Sequence, residues 1–249
     1  RERVRFESLS VEKLSAFPDG SVDRILCNEL WSELPTKLIL RKEGEIWEEH
    51  LRPNLNEQRF VDFPDWPQFV EAFDRKDIDT LKTLPPFLED LVWEREYRPV
   101  DTKTLPFRRT VAEFLKSIDE EVLVPYNLGA CQSIKEAKRL LAPDAIGFSS
   151  FDAGTVDHRV LNDPEKPCYT VQGGQFSFMV NFQLVQEVAR HLGIGTGVIE
   201  SQREYVGRSL GTNVLSVMDL LASHPSPPEG QAWQLDALIL RTLQALNRT

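Results

Sequence analysis

The chain has only three cysteines in 249 residues, Cys27, Cys131 and Cys168, far apart and without a C-x-x-C spacing. An odd count so placed suggests free thiols in a reducing compartment and gives no basis for a disulfide framework or a cysteine zinc site. The four histidines, His50, His158, His191 and His224, include no i, i+4 pair, so a metal centre is not expected. Basic residues are outnumbered, 29 Lys and Arg against 39 Asp and Glu, for a formal charge of -10. Nucleic-acid binding needs clustered, undiluted cations; the short basic runs here, Arg108-Arg109 and Lys135, Lys138 and Arg139, read as solvated helix faces. No apolar run approaches the ~18–20 residues needed to span a bilayer. Gly-x-Ser-x-Gly is missing, and no serine stands on a strand-to-helix elbow, which sets aside a hydrolase triad. Together these absences suggest the cytoplasm or the soluble interior of an organelle.

What is present is ordinary globular chemistry, 41% apolar and 27% charged, enough for a sizeable core. Residues 3–6 alternate polar and apolar as a strand would, Val11, Leu14 and Phe17 have the spacing of a helical turn, and residues 22–26 form a second strand. The run 36–51 reads as a hairpin around Glu43-Gly44, inserted into a minimal α/β fold. Residues 52–106 are rich in proline and acid, and Trp66, Phe69, Phe73 and Phe87 suggest short helices packed on the core, forming a lid or a partner-binding arm. Helical stripes follow at 107–118 and 134–141, with strands at 121–126 and 145–151. Beyond them come a strand at 175–182, a helix at 183–192, a short strand at 196–200, a helix from 203 and a closing helix at 234–246. The organisation expected is a partial core over 1–51, the insertion over 52–106, and the remaining α/β and α+β part over 107–249.

The stretch 22–35 organises the functional reading. In an open α/β sheet ligands bind outside the carboxyl ends of the strands, and Asn28-Glu29 follow Ile25-Leu26-Cys27 directly. Asp152-Ala153-Gly154 ends a second strand and faces the same side if the two strands are parallel. The alternative for Glu29 is a helix N-terminal role. Gly193-Ile194-Gly195-Thr196-Gly197 resembles a nucleotide loop in composition but follows a helix and precedes a strand, the wrong context for phosphate binding, so a helix cap is expected. Asp157-His158 reads as a solvated loop.

The order of these signals resembles the MidA-type family of class I S-adenosylmethionine-dependent methyltransferases. Asn28-Glu29-Leu30-Trp31-Ser32-Glu33-Leu34-Pro35 is similar to the family's Asn-Glu-Phe-Phe-Asp-Ala-Leu-Pro segment after its fourth core strand, and Asp152-Ala153-Gly154 to its Asp-Tyr-Gly after the fifth. The runs 174–182 and 201–205, with Gly193 and Gly211, resemble later family segments. Ser32, Gln175 and Met179 stand where the family carries Asp, Asp and His. The resemblance implies a Rossmann-like methyltransferase sheet whose amino-terminal β–α–β part, about 30 residues or more with the glycine loop, would have to precede Arg1. It also implies methyl transfer from S-adenosylmethionine to a protein side-chain nitrogen such as that of arginine. Glu29 and Asn28 would be the catalytic pair, Glu29 orienting a cationic acceptor. Ser10, Val11, Cys27 and Asn28 would lie against the cofactor, and Glu29, Pro35 and Asp152 against the acceptor. A competing expectation is a non-catalytic methyltransferase-like scaffold or assembly factor binding a protein partner, with self-association left open.

Overall fold

In the computed structural model the described residues are 4, 6–55, 64–88, 91–172, 174–195 and 197–205. Strand β1 (Arg24–Asn28) is followed by a 3₁₀ turn (Trp31–Glu33) and by β2 (Lys37–Lys42) and β3 (Glu45–Leu55). Glu43 and Gly44 between them take φ of +52° and +79°. That is a two-residue primed turn, whose twist matches antiparallel strands and whose second position glycine fills without a Cβ penalty. The hairpin is therefore where the sequence placed it. It is not peripheral, however.

After α1 (Trp66–Arg75) and α2 (Ile78–Leu81) the chain returns as β4 (Leu91–Pro99), which pairs with β3 from Trp47 opposite Pro99 to Leu55 opposite Leu91. Helix α3 (Arg108–Leu115) leads to β5 (Val124–Tyr126), which pairs with β2. The result is an antiparallel sheet in the order β4-β3-β2-β5, with the hairpin at its centre. The purely helical expectation for 52–106 is corrected accordingly: β4 alternates charges on one face with Trp93, Arg95 and Tyr97 on the other, a weak strand pattern satisfied by a distant partner. The two helices instead form a separate small core around Phe69 and Leu91, joined by Trp66, Phe73 and Phe87.

Helix α4 (Leu128–Leu140) then delivers β6 (Gly147–Phe151), parallel to β1 in register from Arg24 opposite Gly147 to Asn28 opposite Phe151. The parallel arrangement on which the strand-end argument depended is thus present. β7 (Gly154–Thr155), α5 (His158–Leu161), the hairpin β8 (Tyr169–Gln172) and β9 (Gln175–Phe178), and β10 (Val180–Asn181) follow, with β10 parallel to β7. Helix α6 (Phe182–His191) comes next. The architecture is mixed α/β with a mostly antiparallel sheet.

Apolar faces of α3, α4 and α6 close over one side of β2 and β5, burying Ile39, Val111, Leu115, Val124, Tyr126, Leu184 and Val188. Two buried asparagines join these layers. Asn181 Oδ1 accepts the Leu184 N–H at 3.0 Å, capping α6, and its Nδ2 donates to the Pro125 carbonyl at 3.2 Å. Its backbone N–H donates to Asn127 Oδ1 at 2.8 Å, and Asn127 Nδ2 donates to Thr36 Oγ1 and the Met179 carbonyl. At the other end of α6, Gly193 has φ +70°. The Gly193 N–H donates to Arg190 O and the Ile194 N–H to Ala189 O, the paired bonds of a Schellman cap.

Several local expectations are corrected. Val4 and Phe6 are exposed and outside any strand, with Arg3 and Arg5 outside the described residues. Residues 11–17 form turns, because their backbone is held by side chains of α4: Glu136 accepts the Leu14 N–H at 3.1 Å, and Arg139 donates to the carbonyls of Leu14 and Phe17. Residues 197–200 are not a strand. The chain divides into two compact units, Arg1–Gly197 and Val198–Thr249. Of the second, residues 198–205 are described. A helical turn at 202–205 opens with Ser201 Oγ accepting the Glu204 N–H and Glu204 Oε2 accepting the Ser201 N–H, a capping box. The expected helix at 234–246 and Gly211 lie outside the described residues. Among the described residues no helix is long and apolar enough to cross a membrane.

Candidate functional site

The carboxyl ends of β1 and β6 place Asn28, Glu29 and Asp152 together. The Glu29 N–H donates to the Phe151 carbonyl at 2.7 Å, extending the parallel ladder by one bond. Glu29 itself has φ +48°, a left-handed conformation disfavoured for a residue with a Cβ and concentrated at turns and functional sites. This turn redirects the chain from the strand into the 3₁₀ turn and leaves the Asn28 and Glu29 side chains exposed.

Asp152 has a different role. Its Oδ2 accepts the N–H groups of Trp31 at 2.6 Å and Ser32 at 3.2 Å, and its Oδ1 accepts the Ala153 N–H at 2.9 Å. Both oxygens are committed to backbone amides, Oδ1 to that of the next residue and Oδ2 to those at the start of the 3₁₀ turn, where free N–H groups favour an anion. Trp31 is the pin beneath. Its indole N–H donates to Ser133 Oγ on α4 at 3.0 Å, and its ring stacks on Phe148 at 5.7 Å. Pro35 is exposed; its carbonyl accepts the Gly129 N–H at 2.9 Å. A Cβ on Gly129 would come within 2.6 Å of Leu34 Cβ, so glycine is what allows this segment to lie against α4.

Cys27 is half-buried opposite Ser150. Burial, and then the Asp152 carboxylate, push its thiol above the ordinary range. Alkylation of Cys27 by iodoacetamide at about pH 8 is therefore expected to be slow. Asp152→Asn should quicken it roughly twofold, since a nearby anion disfavours the thiolate. Peptide-resolved labelling rates test this; a rate indifferent to Asp152→Asn would show that the carboxylate does not act on the thiol.

Ser10 and Val11 are not drawn into this constellation by any hydrogen bond. Ser10 Oγ accepts the Glu12 N–H at 3.3 Å within a local turn. The chain following them is anchored to the carboxyl end of α4, and Val22, just before β1, bridges to Leu141 there, so that anchorage lies at the amino end of β1. Asp157 caps α5, of which His158 is the first residue, and pairs with Arg159 at 2.9 Å, so the solvated-loop expectation is corrected to the start of a short helix. Among the described residues no group of three or more His, Cys, Asp and Glu gathers as metal ligands would.

These residues do not fit S-adenosylmethionine as a complete site. The Asp152 carboxylate is occupied by three amides, and the glycines at 193–195 terminate a helix instead of opening one. Asn28 and Glu29 remain as exposed polar groups at the end of β1.

Sequence reasoning passes over one buried carboxylate, Glu49, which is 7% exposed on β3. Its signal was available: a charged residue two positions from Trp47 on the same strand face. Compared with protein-family models and with curated proteins, the chain matches none.

Proposed function

We propose that this chain carries the acceptor side of a Rossmann-like, MidA-type methyltransferase, acting on a side-chain nitrogen of a protein such as that of arginine. The supporting observation is the in-register parallel pair β1 and β6, whose carboxyl ends bring Asn28, Glu29 and Asp152 to one edge. Ligands of open α/β sheets bind at such edges. S-adenosylmethionine would supply the methyl group, with Cys27 and Asn28 the residues at this edge that would lie against it. In this reading Glu29 offers its carboxylate to a cationic acceptor and fixes its approach, and the Asn28 amide adds a neutral hydrogen-bonding group beside it. Asp152 positions both by pinning the turn that follows them. Orientation of this kind is worth large factors in rate, since small misplacements of reacting groups are costly.

Glu29→Gln is expected to lower methyl transfer to a protein acceptor by roughly 10- to 100-fold with the fold unchanged. Wild-type rates in that variant would remove Glu29 from the mechanism. Calorimetric titration of the folded chain with S-adenosylmethionine tests the enzyme reading itself, which predicts a binding heat. Its absence at concentrations on the order of millimolar would favour the second reading, a methyltransferase-like scaffold that binds a protein. The long β3–β4 ribbon, tipped by its own aromatic core around Phe69, is the observation that favours that alternative.

A further inference from the structure

Strand β4 is the outer strand of the antiparallel sheet. The Val100 N–H donates to the Ile46 carbonyl at 2.8 Å, and the β3–β4 register runs on from there without a bulge. Bonds of an antiparallel ladder recur at every second residue, so Glu94, Glu96 and Arg98 turn their backbone groups toward β3. Trp93, Arg95 and Tyr97 turn theirs outward, and no described residue meets those N–H and carbonyl groups. Such an edge is a template for another strand unless charge or proline blocks it.

Here neither obstacle opposes a second copy of the same edge. Alternation puts Val92, Glu94, Glu96 and Arg98 on one face and Trp93, Arg95 and Tyr97 on the other. A two-fold axis through the sheet at Glu96 sets Glu94 opposite Arg98 of the second copy, Arg95 opposite Tyr97, and Trp93 opposite Pro99. Opposite charges, a cation beside an aromatic ring, and two apolar groups are each favourable cross-strand neighbours. Arg95 and Tyr97 then exchange N–H and carbonyl bonds across the axis, and Pro99, which has no N–H, still accepts from Trp93. Only Glu96 meets its own kind. Within each copy Arg52 holds Glu94 at 2.6 Å and Arg98 holds Glu96 at 2.7 Å, so the joined row carries as many guanidiniums as carboxylates. Moving the axis to Arg95 would set Arg95 against itself and Glu94 against Glu96. Moving it to Tyr97 would put Pro99 opposite Arg95 and shorten the ladder.

We propose that β4 is a self-association edge: it pairs antiparallel with β4 of a second copy of this chain about a two-fold axis at Glu96, joining the two sheets into one. The pairing requires nothing of the methyl-transfer reading.

Sedimentation equilibrium of the full chain at loading concentrations up to about 1 mM should give a monomer–dimer equilibrium. Hydrogen exchange at the Trp93, Arg95 and Tyr97 amides should slow as concentration rises. The Glu94 and Glu96 amides, bonded to β3 in either state, should not respond. Glu94→Arg and Arg98→Glu change exposed residues, and each sets like charges face to face on both sides of the axis, so each should weaken self-association about tenfold. Mixed in equal amounts, the two variants regain an opposite charge at both positions and should pair with each other at close to the wild-type affinity. A monomer throughout, a dimer indifferent to both substitutions, exchange at Trp93, Arg95 and Tyr97 independent of concentration, or a mixture that associates no better than its components would each overturn the proposal.

Discussion

Asn181→Ala is expected to destabilise the protein by about 2–4 kcal/mol, the sum of a lost helix cap and a buried carbonyl left without a donor. Asn181 is fully buried, its Oδ1 takes the Leu184 N–H, and its Nδ2 supplies the Pro125 carbonyl. Alanine fills neither role, and the site is too enclosed for water to substitute freely. Asn127→Ala should be damaging as well, because Asn127 bonds the Asn181 backbone, Thr36 and Met179 at once. The two asparagines share one network, so the double variant should lose less than the sum of the single losses. Urea unfolding of the four proteins measures the coupling. Strict additivity would mean that the two side chains act independently.

Gly154→Ala should be at least as severe, about 3 kcal/mol or more, through a steric clash with backbone. A Cβ on Gly154 would lie 2.1 Å from the Val180 carbonyl oxygen and 2.8 Å from the Phe182 ring. No rotamer relieves a collision with a carbonyl; β7 and β10 would have to separate. That separation would break the Val180 N–H bond to Ala153 and loosen Phe182 against Trp31, which lie 6.0 Å apart by ring centroid. Trp31 begins the turn that Asp152 pins, so damage should spread to the exposed end of β1. Hydrogen exchange should show Glu29, Trp31 and Ser32 amides losing protection. Stability and protection equal to wild type would contradict the close approach of β7 to β10.

Much of the local structure was legible because its signals are local. Glu43-Gly44 adopts the turn that its position between two strand-forming runs implied, and Gly193 ends a helix as a glycine after an amphipathic stripe should. The stripes of α3, α4 and α6 face the core in the structure as their spacing required. Strand β4 was less legible. Its charges fall beside Trp93 and Tyr97, and its pairing is with residues some forty positions earlier, so no nearby pattern announces it. The turns over 11–17 were misread for the same reason: their amides and carbonyls are answered by Glu136 and Arg139, more than a hundred residues away.

The candidate site divides in the same manner. A polar pair directly after an apolar strand was visible as Asn28-Glu29, and a carboxylate after another as Asp152. Whether a strand-end carboxylate faces a ligand or the protein depends on which amides reach it. Here Trp31 and Ser32, some 120 residues distant in sequence, take the Asp152 oxygen, while Glu29 stays exposed. The sequence alone determined the periodic faces, the hairpin turn and the helix cap, because each is satisfied by bonds within a few residues. Tertiary structure alone decided that the two strands run parallel, that Asp152 supports the site, and that the Glu49 carboxylate is buried with one oxygen unpaired. Those outcomes depend on partners that only the folded chain brings within hydrogen-bonding distance.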